Sequence, residues 1–318
     1  MEIKTVLVIG DTHFRSKFYN QGLELIKKCT RIAQRKKPDI IVALGDILHT
    51  HADTRQAEYE LAEKFIRGLS SVSRLYIIMG NHDYINNSQY LTDKHFFNPF
   101  KKWPNVTIVD TVIRDQDLVF CPYVQNDKFF QALDNVEWKN AKCIFSHIEI
   151  RGAVMRDQGS KWSKKYPLLV SGHIHKKQWL GKNVYYPGSS SQVNCDEDPE
   201  KIIALINIEN GHVKEIPLKI SGIRLIKTSI SGLDDVKIQD EIHQVKIKLE
   251  CTDDQFQTLQ SSKKYKKLKK VVQFDIDRIE TEQPIDIKTD THTFQDILLE
   301  LISKTDYHTQ EIFNSLDI

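Results

Sequence analysis

Five short apolar runs in the first 175 residues each lead into a side chain that can hold a metal ion, and in four of them a glycine stands directly before it. The runs end at Gly10 before Asp11-Thr12-His13, Gly45 before Asp46, Gly80 before Asn81-His82-Asp83, Ser146 before His147, and Gly172 before His173-Ile174-His175. Together Asp11, His13, Asp46, Asn81, His147, His173 and His175 offer two carboxylates, one amide and four imidazoles. That is too many donors for one ion and suits two, bridged by a carboxylate and about 3.5–4 Å apart. Mixed nitrogen and oxygen donors admit Mn, Fe, Co, Ni or Zn without choosing among them. Two dications against two carboxylates leave the pocket net positive, which suits a phosphodiester. Water activated between the ions would attack phosphorus in line with the leaving oxygen.

These donors need a scaffold that brings distant segments together. Short Val- and Ile-rich runs bounded by turn residues read as buried strands. In an open α/β sheet, ligands gather beyond the carboxyl ends of the strands, so five such ends describe one pocket. Asp11 and His13 are two apart, as are His173 and His175; on extended backbone each pair leaves one face and grips from one side. Between strands, residues 21–34 carry Leu23, Ile26, Cys29 and Ile32 near helical spacing, and residues 55–69 carry Tyr59, Leu61, Phe65, Ile66 and Leu69. That alternation is the βαβ signature. Shorter strands follow at 106–109, 118–122 and 143–146, and segments 178–180, 184–186 and 202–208 read as a meander closed by Asn210-Gly211.

The expectation is an α/β two-sheet sandwich over residues 1–219. A small α+β unit over 220–283 follows, with strands at 223–230, 245–249 and 271–276 and one polar helix over 253–267. Residues 284–318 form a linker from Pro284 and two amphipathic stripes. Thr293 caps the first, with Phe294, Ile297, Leu298, Leu301 and Ile302; the second has Ile312, Phe313 and Leu316.

At 318 residues the chain can bury an α/β core and carry an appendage. A net charge of +2 does not mark the whole molecule as a nucleic-acid binder. Five scattered cysteines without a Cys-x-x-Cys pair fit reduced intracellular thiols, and Cys143, inside an apolar strand, reads as core filler. Met1-Glu2-Ile3-Lys4 runs straight into the first strand, leaving no signal peptide, and no apolar run reaches membrane-spanning length. A soluble, intracellular protein is expected, in a prokaryotic or phage-infected cytoplasm or a nucleus or viral factory. His51, His95, His212, His243, His292 and His308 match no motif and read as surface residues.

Taken in order, Asp11-x-His13, Gly45-Asp46, Gly80-Asn81-His82-Asp83, His147 and Gly172-His173-x-His175 resemble the signature of the calcineurin-like metallophosphoesterases. The resemblance implies their two-sheet sandwich and two Mn(II) ions. By position, Asp11, His13 and His175 would hold one ion, Asn81, His147 and His173 the other, and Asp46 would bridge. His82 would stay free of metal to protonate a leaving oxygen, with Asp83 orienting it.

Gly45-Asp46-Ile47-Leu48-His49 further resembles the Gly-Asp-x-x-His block of the SbcD-type nucleases, catalytic subunits of the SbcCD double-strand-break repair complex. The protein phosphatases carry Gly-Asp-x-x-Asp-Arg and Gly-Asn-His-Glu instead; here that arginine is absent and Asp83 stands for the glutamate. The resemblance implies that His49 contacts the DNA strand in exonuclease action. Tyr186-Pro187-Gly188-Ser189 is similar to the family's closing strand, and residues 220–283 resemble its DNA-capping domain. The lysine run from Lys263 to Lys270 reads either as a solvated helix face or as a salt-dependent phosphate contact. Arg15, Lys17 and Arg151 are weaker candidates of the latter kind.

Residues 284–318 look like the tail that docks on an SbcC-like coiled-coil ATPase, or pack back on the chain itself. The family also implies a homodimer, and the short chain is similar to phage- and virus-encoded members. The reading is a two-metal DNA exo- and endonuclease in repair and recombination. Its alternatives are a phosphodiesterase or phosphatase for small nucleotides or phosphoproteins, and a scaffold binding DNA ends and the ATPase.

Overall fold

The computed structural model describes residues 2–153, 159–236, 244–269 and 272–278. Strand β1 (Thr5–Ile9) shows how the sequence sorts into layers. Val6 and Val8 join one apolar cluster and Leu7 and Ile9 another, so the strand is buried on both faces. Helix α1 (Tyr19–Lys36), β2 (Ile40–Ala43), α2 (Gln56–Ser70), β3 (Arg74–Ile78) and β4 (Val106–Val109) continue the pattern. α1 stops where Lys37 turns left-handed at φ 48° and its N–H bonds the Ala33 carbonyl, ahead of Pro38. Both helices place Leu25, Cys29, Leu61 and Phe65 against Leu7, Ile41 and Ile77 on the outer face of the first sheet.

The second sheet is built from β5 (Ile113–Asp115), β6 (Leu118–Cys121), β7 (Cys143–Ser146), β8 (Leu168–Ser171), β9 (Gln178–Leu180) and β10 (Val184–Tyr186). The short helix α3 (Phe129–Leu133) precedes β7 and covers its outer side. Phe120, Cys143, Phe145, Val170 and Tyr185 face Val6, Val8, Val42 and Ile78 to make the core between the sheets. The remaining strands, β11 (Ile202–Asn207) and β12 (Val213–Pro217), do not extend a meander with β9 and β10. β11 crosses to the first sheet and pairs antiparallel with β1, Leu7 opposite Leu205, giving the order β12-β11-β1-β2-β3-β4. Its run of Ile202, Ile203, Ala204 and Ile206 is buried, and β1 had a free edge to receive it. The second sheet runs β5-β6-β7-β8-β10-β9. β1, β2 and β3 are mutually parallel, as are β7 and β8, so their carboxyl ends open on one side of each sheet.

A third, parallel sheet follows, β13 (Ile223–Ser229), β14 (Gln244–Cys251) and β15 (Gln273–Arg278), with α4 (Asp253–Ser261) and α5 (Lys263–Leu268) between the last two. The single polar helix expected there is broken at Ser262, which is extended (φ −69°, ψ 141°) and caps α5 through its hydroxyl on the Tyr265 N–H. Tyr265 is buried with Ile247 and Leu249, while Lys263, Lys266, Lys267 and Lys269 are exposed. Pro284, both C-terminal stripes, and His243, His292 and His308 lie outside the described residues. Among the described residues no helix is long and apolar enough to cross a membrane.

Candidate metal centre

All seven expected donors meet at the strand ends of the two sheets, in two groups. Asp11, His13 and His175 form one and Asp46, His147 and His173 the other, each with donor atoms within 4.8 Å of one another. His173 and His175 therefore do not grip one ion together. The extended backbone expected for these pairs is also absent. His13, Asp46 and His173 lie beyond their strands in left-handed conformations, at φ 46°, 48° and 77°.

Asn81 joins the second group, its Oδ1 3.0 Å from both His147 Nε2 and His173 Nδ1. Asp46 lies between the groups, with Oδ2 3.6 Å from His13 Nε2 and 3.4 Å from His147 Nε2. Glycine makes this convergence possible. A Cβ on Gly172 would stand 2.5 Å from Asp11 Oδ1, and one on Gly45 2.6 Å from His147 Nδ1.

The residues fit divalent ions. Asp11 Oδ1 and His13 Nδ1 are buried without a hydrogen-bond partner. His13 Nε2 and His175 Nε2 face each other at 2.9 Å, close to the roughly 3 Å between neighbouring nitrogens about 2.1 Å from a shared ion. Burial drives His13 well below the ordinary histidine range and brings His173 to about 4, whereas burial of His147 and His175 is outweighed by the carboxylates beside them, Asp46 raising His147 to about 9 and Glu197 raising His175; binding an ion at these two would displace a proton. Burial also lifts Asp11 to about 6, against the pull of His147. It would lift Asp46 too, but His147 and His13 hold that carboxyl well below the usual range. His147 donates Nδ1–H to the Leu44 carbonyl at 2.7 Å, which leaves Nε2 to act as the donor atom.

A family model described as calcineurin-like phosphoesterase matches residues 4–177. The chain is 34% identical over 283 residues to a protein of Invertebrate iridescent virus 6 named "Putative phosphoesterase 244L", covering 84% of this chain and 98% of that one. It is 33% identical to "Putative phosphoesterase 078R" of Invertebrate iridescent virus 3, over 95% of this chain and 92% of that one. The chain belongs to the calcineurin-like phosphoesterases. TT1561 of Thermus thermophilus is among the similar solved structures, with a TM-score of 0.45 at 14% identity over 69% of this chain and all of that one.

Around the phosphoesterase's donors, three histidines cluster. His82 bonds Asp46 Oδ1 through its backbone N–H at 2.9 Å and donates Nδ1–H to the His49 carbonyl. Its Nε2 makes no hydrogen bond among the described residues. Burial lowers the His82 pKa, and Asp46 opposes this. The His49 ring stacks 5.9 Å from that of His82 and meets His13 edge-on at 5.4 Å; burial and Arg15 lower its pKa to about 4.

Asp83 does not orient His82. Its two oxygens accept the Leu48 and Gly80 N–H groups, both at 3.0 Å, and so tie the Asp46 turn to the Asn81 turn. Burial, with Asp46 nearby, raises its carboxyl to about 7.

The Arg15 guanidinium is engaged within the chain: it donates to the Val193 and Gln192 carbonyls at 3.1 Å and covers the Phe18 ring. Lys17 and Arg151 are exposed.

Two of the histidines expected at the surface are placed differently. His51 stacks 4.4 Å from His82, and the His95 side chain is fully buried against Asp110 at 3.1 Å. His212 is exposed, beside the β11–β12 turn, as expected. The sequence reading also passed over Tyr123, whose ring lies 6.0 Å from that of His173, and Glu197, which is 2.9 Å from His175 Nδ1.

Proposed function

We propose that this phosphoesterase is a Mn(II)-dependent nuclease that hydrolyses phosphodiester bonds at DNA ends, exo- and endonucleolytically, as the catalytic subunit of an SbcCD-like repair and recombination complex. The position of His49 carries the reading: the histidine of the Gly-Asp-x-x-His block lies against His82 and His13, within the pocket the donors form.

In this reading Asp11, His13 and His175 hold one ion, Asn81, His147 and His173 the other, and Asp46 both. When bound, the ions supply Lewis acidity toward the phosphoryl group and a nucleophile at neutral pH. With Nδ1–H engaged by the His49 carbonyl, His82 carries any transferable proton on Nε2. Burial lowers the His82 pKa against the opposing charge of Asp46, and Nε2 is the atom from which a proton would pass to the leaving oxygen. His49, as a neutral imidazole, contacts the strand being cut.

The division into a nuclease domain (1–219), a DNA-capping domain (220–283) and partner-binding helices (284–318) belongs to the same proposal. The exposed Lys263, Lys266, Lys267 and Lys269 would supply phosphate contacts whose strength falls with salt. A coiled-coil ATPase would be the partner, the assembly a homodimer, and the setting intracellular.

The test is degradation of labelled linear duplex and single-stranded DNA in Mn(II), beside cyclic dinucleotides and p-nitrophenyl phosphate esters. DNA cutting that disappears in Asp46→Ala is expected. Robust ester turnover with DNA untouched would overturn the nuclease reading in favour of a small-nucleotide phosphodiesterase.

A further inference from the structure

The two donor groups are anchored differently. In the Asp46 group, the His147 ring is fixed by a backbone carbonyl, that of Leu44. In the Asp11 group, the His13 Nδ1 is buried with no hydrogen-bond partner among the described residues. Of the two imidazoles in this group, His175 is the one hydrogen-bonded on its far side among the described residues, and it is held by a side chain. Its Nδ1 lies 2.9 Å from Glu197 Oε1, while its Nε2 faces His13 Nε2 at 2.9 Å and Asp11 Oδ2 at 3.8 Å. Glu197 therefore sits across the ring from the position an ion would take, and its carboxylate is not itself a donor to that ion.

Glu197 is in turn held from several directions. Its Oε2 accepts from Lys201 Nζ at 2.9 Å, Ser189 Oγ at 3.2 Å and the Val193 N–H at 3.0 Å. Lys201 is only 6% exposed and donates also to Ser189 Oγ at 3.0 Å. A lysine is almost never buried unless paired, and this one is paired to the carboxylate that meets His175. The segment carrying them is fastened to the loop that bears Asp11 and His13. Ser190 donates its hydroxyl to the Gly10 carbonyl and its N–H to that of Asp11, and Ser191 donates its hydroxyl to that of Thr12.

We propose that Glu197, supported by Lys201, is the positioning residue of the Asp11–His13–His175 group: it accepts the hydrogen bond from His175 Nδ1–H, leaves Nε2 bare toward the ion, and thereby sets the affinity of that ion and not of the other. Partners of this kind on metal-bound histidines typically contribute about 10–100-fold in metal affinity. The proposal rests on the two-ion reading of the site.

Titration of the full-length protein with Mn(II), followed by the signal of free Mn(II) in electron paramagnetic resonance, counts the sites and ranks them. The wild type should bind two ions. Glu197→Ala should weaken one of them about 10–100-fold and leave the second within about twofold. Nitrogen-15 spectra of the metal-free protein, recorded at alkaline pH where the His175 ring is neutral and with His175 assigned through His175→Gln, add a reading that general destabilisation does not produce. The Nδ1–H tautomer should dominate in the wild type and give way to Nε2–H in Glu197→Ala. Glu197→Gln keeps an acceptor for Nδ1 but not the charge, so its affinity should fall between the two with the tautomer retained. If Glu197→Ala does not fold, that variant decides alone: one weakened ion supports the proposal, and two unchanged ions overturn it. Two equally weakened ions, or an unchanged tautomer in Glu197→Ala, would also overturn it. A wild type that binds no Mn(II) would instead sink the two-ion reading beneath it.

Discussion

Gly172→Ala tests whether the glycines before the donors exist for steric reasons. Gly172 is not in a left-handed conformation, so alanine brings no backbone strain there. The added methyl would stand 2.5 Å from Asp11 Oδ1, 2.7 Å from the Leu44 carbonyl oxygen and 2.8 Å from His147 Nδ1. One of these belongs to each donor group, and the third is the carbonyl that fixes His147. Ordinary contact at about 3.4 Å would require Asp11 Oδ1 to retreat by roughly 0.9 Å, several times the tolerance of about 0.2 Å on a metal–ligand distance. Misplacement of that size costs about 100-fold in rate, and overpacking adds a stability loss of about 1–3 kcal/mol. The measurements are Mn(II) titration, hydrolysis of bis-p-nitrophenyl phosphate, and denaturant unfolding. Gly181→Ala and Gly211→Ala are the controls: nothing lies within 4 Å of either Cβ, but φ is 60° and 68°. They should lose about 1 kcal/mol of stability through the left-handed backbone and keep both ions and the rate. Two tight Mn(II) sites and a rate within about twofold of wild type in Gly172→Ala would refute the steric argument.

His82→Ala should lower kcat by about 10²–10⁴-fold while both Mn(II) affinities stay at the wild-type value, because no described donor depends on its ring. Asp110→Asn should change the acid limb of stability. Burial would raise the Asp110 carboxyl, but hydrogen bonds from His95 and Lys101 hold it below its ordinary value. A depressed carboxyl contributes stability that is complete above the unfolded-state pKa of about 4 and is lost as pH falls through the folded-state value. The variant should therefore be less stable than wild type by about 1.5–3 kcal/mol at pH 7, with the gap closing below about pH 4; a gap that is constant with pH would count against the ion pair.

The donors were legible because each follows a strand whose apolar run is local in sequence. The family order of the blocks then supplied the pairing between distant strands. What was not legible depends on contacts that no local pattern carries. β11 looks like one more strand after β10, yet its partner is β1, nearly 200 residues earlier, with Thr5 opposite Asn207. His95 carries no sign that Asp110 and Lys101 will close around it. Arg15 follows a donor block as a phosphate-binding arginine would, but the carbonyls of Gln192 and Val193 reach it first. Asp83 shows the same limit at shorter range. Its neighbour His82 suggested a carboxylate–histidine pair, whereas two backbone N–H groups from different turns claim both oxygens.

Those backbone claims explain how the site holds a conformation that its own donors disfavour. His13, Asp46 and His173 each sit at positive φ, where a non-glycine residue costs about 1–3 kcal/mol. Each strained turn is pinned by another donor segment. The His13 N–H bonds the Asp46 carbonyl at 2.9 Å, and the His173 N–H bonds Asp11 Oδ2 at 3.0 Å. The His82 N–H bonds Asp46 Oδ1 at 2.9 Å. The donor loops are thus one another's hydrogen-bond partners, and none can relax without releasing the next. Strain distributed over such a linked set pre-organises the pocket in the protein itself. A lesion in one turn should therefore be transmitted to both donor groups.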